Sequence, residues 1–322
     1  MGAQITLSHQ KDFKNCTDQT WFLIGITAVD EINTLMLILA EPFMQRALVG
    51  GLLTGTLGGL LGSIAVLRQL SFFSDALGHS ALLGITLGIL IGVNPMLVLI
   101  PFAIVFALLI NQLVERSSLP TDALLNIVYS SSLAAAILAL SRIETYRGGI
   151  RQLLFGDILG ISQLDLIIVT ILLITATIYL VMSLRAQVLL TLNADLAGAV
   201  GVNIKIHRLA FIVLLAVVVA VSIKAVGVLL ISAFVVIPAC AGRLLCRRFP
   251  IYILSSAILG GSCALLGLLA SGLTNLPSGP SVVMVQFMGF ITALVLSSNR
   301  FKRKEDASQE LSQTPDVNLN DP

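Results

Sequence analysis

Asp75 and His79 stand four residues apart in the stretch SFFSDALGHSALLG, residues 71–84, a carboxylate and an imidazole one helical turn from each other in an otherwise apolar run. Such a pair can share a transition-metal ion, since imidazole suits zinc and carboxylate suits harder ions such as manganese. It is also costly in lipid, where ionisable groups usually face a cavity or a pathway. At about 100° per residue, Asp75, His79 and Thr86 fall within roughly 40° of one another. Gly84, Gly88 and Gly92 occupy the far side of the same helix. One face is polar and the other bare, and the bare stripe admits a close neighbour. The first apolar run has a matching stripe in Gly51, Gly55 and Gly59. On position alone a structural reading stands beside the functional one: Asp75 caps the helix start and His79 bonds to it.

The elements that hold this pair must be membrane helices. The chain has 322 residues, 57% hydrophobic and 11% charged, with a mean hydropathy of +0.98. Soluble domains carry about 45–50% apolar and about 25% charged residues. The composition is that of an integral membrane protein, and a net charge of +2 from scattered basic residues excludes a nucleic-acid surface. Cys16, Cys240, Cys246 and Cys263 form no CxxC pair; three of them lie in or beside apolar runs, where cysteine behaves as a small hydrophobe, and all four read as structural. The polar residues before Trp21 lack the order of a cleaved signal.

A helix needs about 20 mainly apolar residues to cross the hydrocarbon. Runs 43–67, 76–93, 95–114, 122–141, 164–184, 251–271 and 281–298 meet that requirement. The stretch 21–40 carries Asp30 and Glu31 at its middle. Each costs about 2.5–3.5 kcal/mol at a bilayer centre, so this stretch is expected on the membrane surface. The run 207–240 is too long for one crossing, at about 50 Å. Lys224 and Gly227 divide it, and basic residues on both sides (Lys205 and Arg208, then Arg243, Arg247 and Arg248) ask it to leave and return on the cytoplasmic side as two short or broken helices. The predicted fold is therefore all-α, a polytopic bundle of about eight spans, within a range of about seven to nine.

Arg300, Lys302, Arg303 and Lys304 place the end of the last span in the cytoplasm, which puts 274–280 outside and 185–208 inside. Arg142, Arg147 and Arg151 fall outside in this scheme, against the rule. The expected organisation is an N-terminal extension over 1–40, polar then interfacial, a membrane domain over 41–299, and a disordered cytoplasmic tail over 300–322.

Between two spans lies LTLNADLAGAVGVN, residues 190–203. Asn193 can cap a short helix and Gly201 can end it, while Leu192, Leu196, Ala199 and Val200 give it a small apolar face. Such a helix can dock into a partner's groove or lie among headgroups. Residues 149–163, with Gly156, Asp157 and Gly160, read as interfacial or re-entrant, with Asp157 a cap or solvent-exposed. Lys224 reads as structural, bound to a carbonyl or carboxylate or snorkelling, and His207 as an interfacial histidine. No GxxxxGK[ST], HExxH or GxSxG occurs, so neither ATP hydrolysis by a phosphate loop nor the familiar hydrolase chemistries are expected of this chain.

Six segments in order resemble the membrane permease subunits of ATP-binding-cassette importers for zinc, manganese and iron(II): LLGSIAVLRQLSFFSDALGHSALLGITLG (60–88), TDALLNIVYSSSLA (121–134), LLFGDILGIS (153–162), LNADLAGAVGVNIKIHRL (192–209), KAVGVLLISAFVVIPACAGRLL (224–245) and LPSGPSVV (276–283). The resemblance covers residues 43–298. It implies a permease homodimer in lipid, seated on two cytoplasmic ATPase subunits and fed by an extracytoplasmic metal-binding protein. By the same resemblance, Asp75 and His79 match the aspartate and histidine that contact the ion in transit, and the helix 193–201, with Asn193, Asp195, Leu196 and Gly201, matches the coupling helix. No permanently bound cofactor is implied; zinc(II) or manganese(II) is cargo. The expected location is the plasma or inner membrane of a prokaryote, or a plastid membrane. Ser74 and Gly78 stand where the family usually has glycine and then alanine or serine, exchanges of small for small. GVNP (92–95) and PSGPSVV lean toward the zinc branch, and TDALLNIVYSSS suits a manganese permease equally well. The competing class is a proton- or sodium-coupled secondary transporter with Asp75, His79 and Lys224 as a relay.

Overall fold

The computed structural model describes residues 41–141, 156, 158, 160–192, 194–246, 248–274 and 276–312, without the side chains of 194–196 and 299–312. The expectations for 1–40, Cys16, Arg142, Arg147, Arg151, Asp157, Asn193, Arg247 and 313–322 concern positions outside the described residues.

Among the described residues there are ten helices: α1 Pro42–Leu67, α2 Phe73–Ile91, α3 Pro95–Arg116, α4 Thr121–Leu140, α5 Gln163–Leu192, α6 Ala194–Ala199, α7 Ile204–Val226, α8 Ile231–Leu245, α9 Phe249–Thr274 and α10 Ser278–Ser312. Eight of them are long and apolar enough to cross a membrane, all but α6 and α8. Local chemistry sets their ends. Pro95 opens α3 behind Asn94, whose side chain accepts from the Met96 amide at 3.0 Å. Asn203 caps α7 by accepting from the Ile206 amide. Ser162 and Asp165 form a reciprocal capping box on α5, in which the Ser162 amide donates to the Asp165 carboxylate at 2.9 Å and the Asp165 amide to Ser162 Oγ at 3.3 Å.

The run 207–240 divides at Gly227, which has φ +88°, a left-handed conformation that spares glycine the steric penalty of a Cβ. The pieces are unequal. α7 has 23 residues and is long enough to cross alone, whereas α8 has 15 and reaches only about 22 Å at 1.5 Å per residue. Two short helices were expected; one full helix and one short one are found. α10 continues to Ser312, into the segment expected to be a tail.

The bundle is built around α1, which packs on α5, α7, α8 and α9. Every residue from Leu57 to Ala65 is buried, as expected of a helix apolar all round. A Cβ at Gly51, Gly55 or Gly59 would meet Leu268, Gly260 or Ser256 of α9 respectively, in descending order, so the two helices run antiparallel at backbone contact. The stripe on α2 meets a different neighbour, with Gly84 against Phe102 and Gly88 against Pro95 and Val98 of α3, while Gly92 lies past the helix end. A second set on α1, Gly58 and Gly62, lies under the Phe234 and Val235 carbonyls of α8. Tyr252 of α9 donates to the Ser63 carbonyl of α1 at 2.9 Å. By contrast α4, α5 and α10 leave most of their apolar surface uncovered, the arrangement required of helices that face lipid or another subunit.

Candidate functional site

Phe73, Ser74, Ala76, Leu77, Gly78 and Ser80 at the start of α2 are buried, and Asp75 and His79 between them are not. The helix thus seats itself on α3, α4, α7 and α8 and presents the carboxylate and imidazole to a partly open face, their side chains 29% and 20% exposed. His79 Nε2 and Asp75 Oδ1 are 3.8 Å apart, beyond hydrogen-bonding distance and with room for an ion to be shared. The N-cap of α2 is Phe72, without a side-chain cap bond, and the Asp75 carboxylate makes no hydrogen bond among the described residues. The capping role considered for Asp75 is therefore not the one the fold uses.

His79 is set by its neighbours. Its ring lies 5.1 Å from that of Tyr129 on α4, tilted by 56°, and Tyr129 meets Phe72 edge-on at 6.2 Å. Ser80 and Ser132 share a hydrogen bond of 2.6 Å that holds α2 to α4 at the same level. Thr86, placed on the polar face by its spacing, contributes nothing to the pair: it is buried and its hydroxyl donates to the Leu82 carbonyl. Ser74 is fully buried, its hydroxyl without a partner among the described residues, so only a small side chain fits beside Asp75. Among the described residues no group of three or more His, Cys, Asp or Glu side chains forms a ready cage. The pair supplies two donors, fewer than the four of a tetrahedral site. The adjoining α4 exposes Asn126, Ser130 and Ser131 on a largely uncovered helix, a polar face suited to water or protein.

Lys224 is held elsewhere. Its Nζ donates to Asp165 Oδ2 at 2.6 Å, joining α7 to the first turn of α5. The proton relay considered for Asp75, His79 and Lys224 gains no support, since the carboxylate on Lys224 is Asp165. Asp165 was missed in the sequence, although the S-x-x-D pattern opening an apolar run marks it as a capping residue.

α6 occupies the predicted place between α5 and α7. Asp195 and Leu196 lie on it by backbone, and their side chains, like the whole of Asn193, are outside the described residues. Gly201 ends it at φ +82°, its amide donating to the Gly198 carbonyl and that of Val202 to Ala197, both at 3.0 Å, the closing bonds that a left-handed residue permits. Leu192 and Val200 on either side are 76% and 58% exposed, an uncovered apolar patch at the tip of the bundle.

Beneath this tip lies a polar cluster the sequence reading did not foresee. Arg68 donates to Gln187, Gln187 to Tyr179, and Tyr179 to the His207 carbonyl. Its one sequence signal is an arginine ending an apolar run. His207, expected at the interface, has a buried Nδ1 with no partner among the described residues. Nearby, Leu67, Val188, Leu192, Arg243, Cys246 and Phe249 line a groove of about 450 Å³ that gathers the ends of α1, α5 and α8 and the start of α9 on this same side.

Comparison with known proteins places this geometry. The model of the ABC 3 transport family matches residues 40–297. The chain is 32% identical over 252 residues to the "High-affinity zinc uptake system membrane protein ZnuB" of Haemophilus influenzae, covering 77% of this chain and 95% of that one. It is 29% identical over 269 residues to the "Manganese import system permease protein ScaB" of Streptococcus gordonii, covering 81% and 95%. Among solved structures, PsaBC from Streptococcus pneumoniae in complex with Fab superposes with a TM-score of 0.71 at 24% identity, over 83% of this chain and 95% of that one, a likeness of fold. With the family model spanning nearly the whole membrane bundle, the Asp75–His79 helix and the α6 connection included, the chain belongs to the ABC 3 transport family.

Proposed function

We propose that this chain is the membrane permease subunit of an ATP-driven importer of a divalent transition metal, zinc or manganese, in the plasma or inner membrane of a prokaryote or in a plastid membrane. The match to the family model over residues 40–297 carries this reading. Zinc and manganese permeases stand among the relatives, and a carboxylate–imidazole pair accepts either ion.

In this reading Asp75 and His79 bind the ion in transit, with the phenol ring of Tyr129 fixing the imidazole. Two donors leave the coordination shell open. A homodimer with α4 at its seam brings a second pair by symmetry and covers the exposed Asn126, Ser130 and Ser131. The end bearing Arg68, Arg208, Arg243 and α6 faces the cytoplasm, where basic residues concentrate. There α6, with Asn193, Asp195, Leu196 and Gly201, docks into separate ATPase subunits through the patch of Leu192 and Val200. Metal arrives at the opposite face from an extracytoplasmic binding protein. The permease does no chemistry; it exposes the pair alternately to each side as the ATPases close and open.

Scrambling residues 193–201 tests the coupling step. Among the described side chains of α6 only Ala197 is buried, so the bundle is expected to fold while ATPase co-purification and metal-dependent hydrolysis are lost. An ATPase that still co-purifies and turns over unchanged would refute this role for α6.

A further inference from the structure

Arg68 ends α1 at the junction of three other helices. Its Nη2 donates to Gln187 Oε1 at 2.5 Å, and its guanidinium lies over the Phe211 ring, 5.1 Å from the centroid. Gln187 is fully buried and donates to the Tyr179 hydroxyl at 2.9 Å and to Ser183 Oγ at 3.3 Å. The Tyr179 hydroxyl in turn donates to the His207 carbonyl at 3.1 Å. A single cation is thus fastened to the last turns of α5 and the first turns of α7, the two helices that bracket α6. On its other side the backbone passes through Gln69, a non-glycine residue at φ +59°, and enters α2, whose first two turns carry Asp75 and His79.

The cluster is poorly designed for stability. Arg68 Nε is buried without a partner among the described residues. Burial, with Arg208 nearby, draws the guanidinium down to about 10, against the pull of Tyr179, and it remains charged at neutral pH. Replacing all members of a buried ionic cluster by apolar groups is often neutral for the fold, so such a cluster is weak evidence of a stabilising role. What the arrangement does provide is a contiguous chain of packed and hydrogen-bonded contacts from α5 and α7 to the α1–α2 turn, a route along which a displacement can be passed.

We propose that Arg68 is the positioning residue through which movement of α6 reaches the Asp75–His79 pair: the bond to Gln187 and the stack on Phe211 hand displacements of α5 and α7 to the α1–α2 turn. The inference rests on the importer reading above.

The test uses the complete complex with its ATPases and binding protein in proteoliposomes, with zinc or manganese uptake and ATP hydrolysis measured on one preparation. Arg68→Met, which leaves the buried Gln187 acceptor without its donor, is expected to lower the yield of complex, while the complex that assembles hydrolyses ATP near wild type and moves about tenfold fewer ions per ATP. The metal concentration for half-maximal uptake stays unchanged, because the ligands are untouched. Arg68→Lys, which keeps the charge and a donor to Gln187, restores most of the ratio. Gln187→Met, which leaves the cation in place, reproduces the loss and carries the test alone if Arg68→Met fails to assemble. An unchanged ratio of ions to ATP in these variants overturns the inference. Failure of the importer reading is a separate result: a wild-type complex that moves no metal when ATP is added.

Discussion

Replacing Asp75 with Asn and His79 with Ala together is expected to abolish metal uptake while the permease still folds and assembles. The direction follows from what each side chain does and does not hold. Neither caps α2 nor hydrogen-bonds to the other, since Nε2 and Oδ1 are 3.8 Å apart and the N-cap is Phe72. Neither side chain is fully buried, so their loss leaves the core packing of α2 in place, and the cost is confined to the contact of His79 with Tyr129, within the range of about 0.5–3 kcal/mol usual for single substitutions. In the proposed homodimer the ion would lose both donors of each subunit. Altering an outer-shell partner alone typically costs about 10–100-fold in metal affinity or activity, and removing the ligands themselves should exceed that. Uptake of radioactive zinc or manganese by cells carrying the variant, beside detection of the assembled complex, gives the result. Near-normal uptake would remove the pair from the pathway.

The second large effect is on folding. Gly59→Leu is expected to prevent the bundle from closing. A Cβ at Gly59 would collide with the Ser256 carbonyl of α9, a backbone atom that cannot swing aside, and the remainder of leucine has no space between two buried helices. Overpacking a tight core costs about 1–3 kcal/mol, occasionally more, where side chains can adjust; here the helices themselves must part, breaking the approach at Gly55–Gly260 along the same seam. The expected outcome is little monodisperse protein in detergent and a lowered melting temperature for what remains. Gly198→Ala in α6 is the control, because its nearest neighbour is the flexible end of Ile204 at 3.3 Å. Wild-type melting of Gly59→Leu would mean that α1 and α9 do not pack as described.

The membrane bundle was legible in the sequence because lipid leaves helices few alternatives. The seven apolar runs and the division at Gly227 follow from length and hydropathy, and Gly201 as the end of α6 follows from the need for a left-handed residue. Partners across space were less legible. The stripe of Gly51, Gly55 and Gly59 announces a close neighbour but does not say which, and α9, some two hundred residues onward, is the helix it receives. Lys224 reads as a structural cation on a carbonyl or carboxylate, and Asp165 was not found as its partner, since the pairing depends on where α5 and α7 meet. The Arg68 cluster was invisible for the same reason: its members come from three helices, and Gln187, Tyr179 and Ser183 resemble ordinary polar residues of a long span. Asp75 and His79 stood out because both sit on one helix, one turn apart, where periodicity alone brings them together.

On the proposed function, this chain conducts a metal ion only when a separate ATPase drives it. Proteoliposomes holding the permease with its ATPases, loaded with metal-binding protein on the outer side, should accumulate zinc or manganese on addition of ATP to the ATPase face and none without it. Vesicles holding the permease alone should show no flux under a proton or sodium gradient. Gradient-driven uptake by the permease alone would contradict the account and make the chain a secondary transporter.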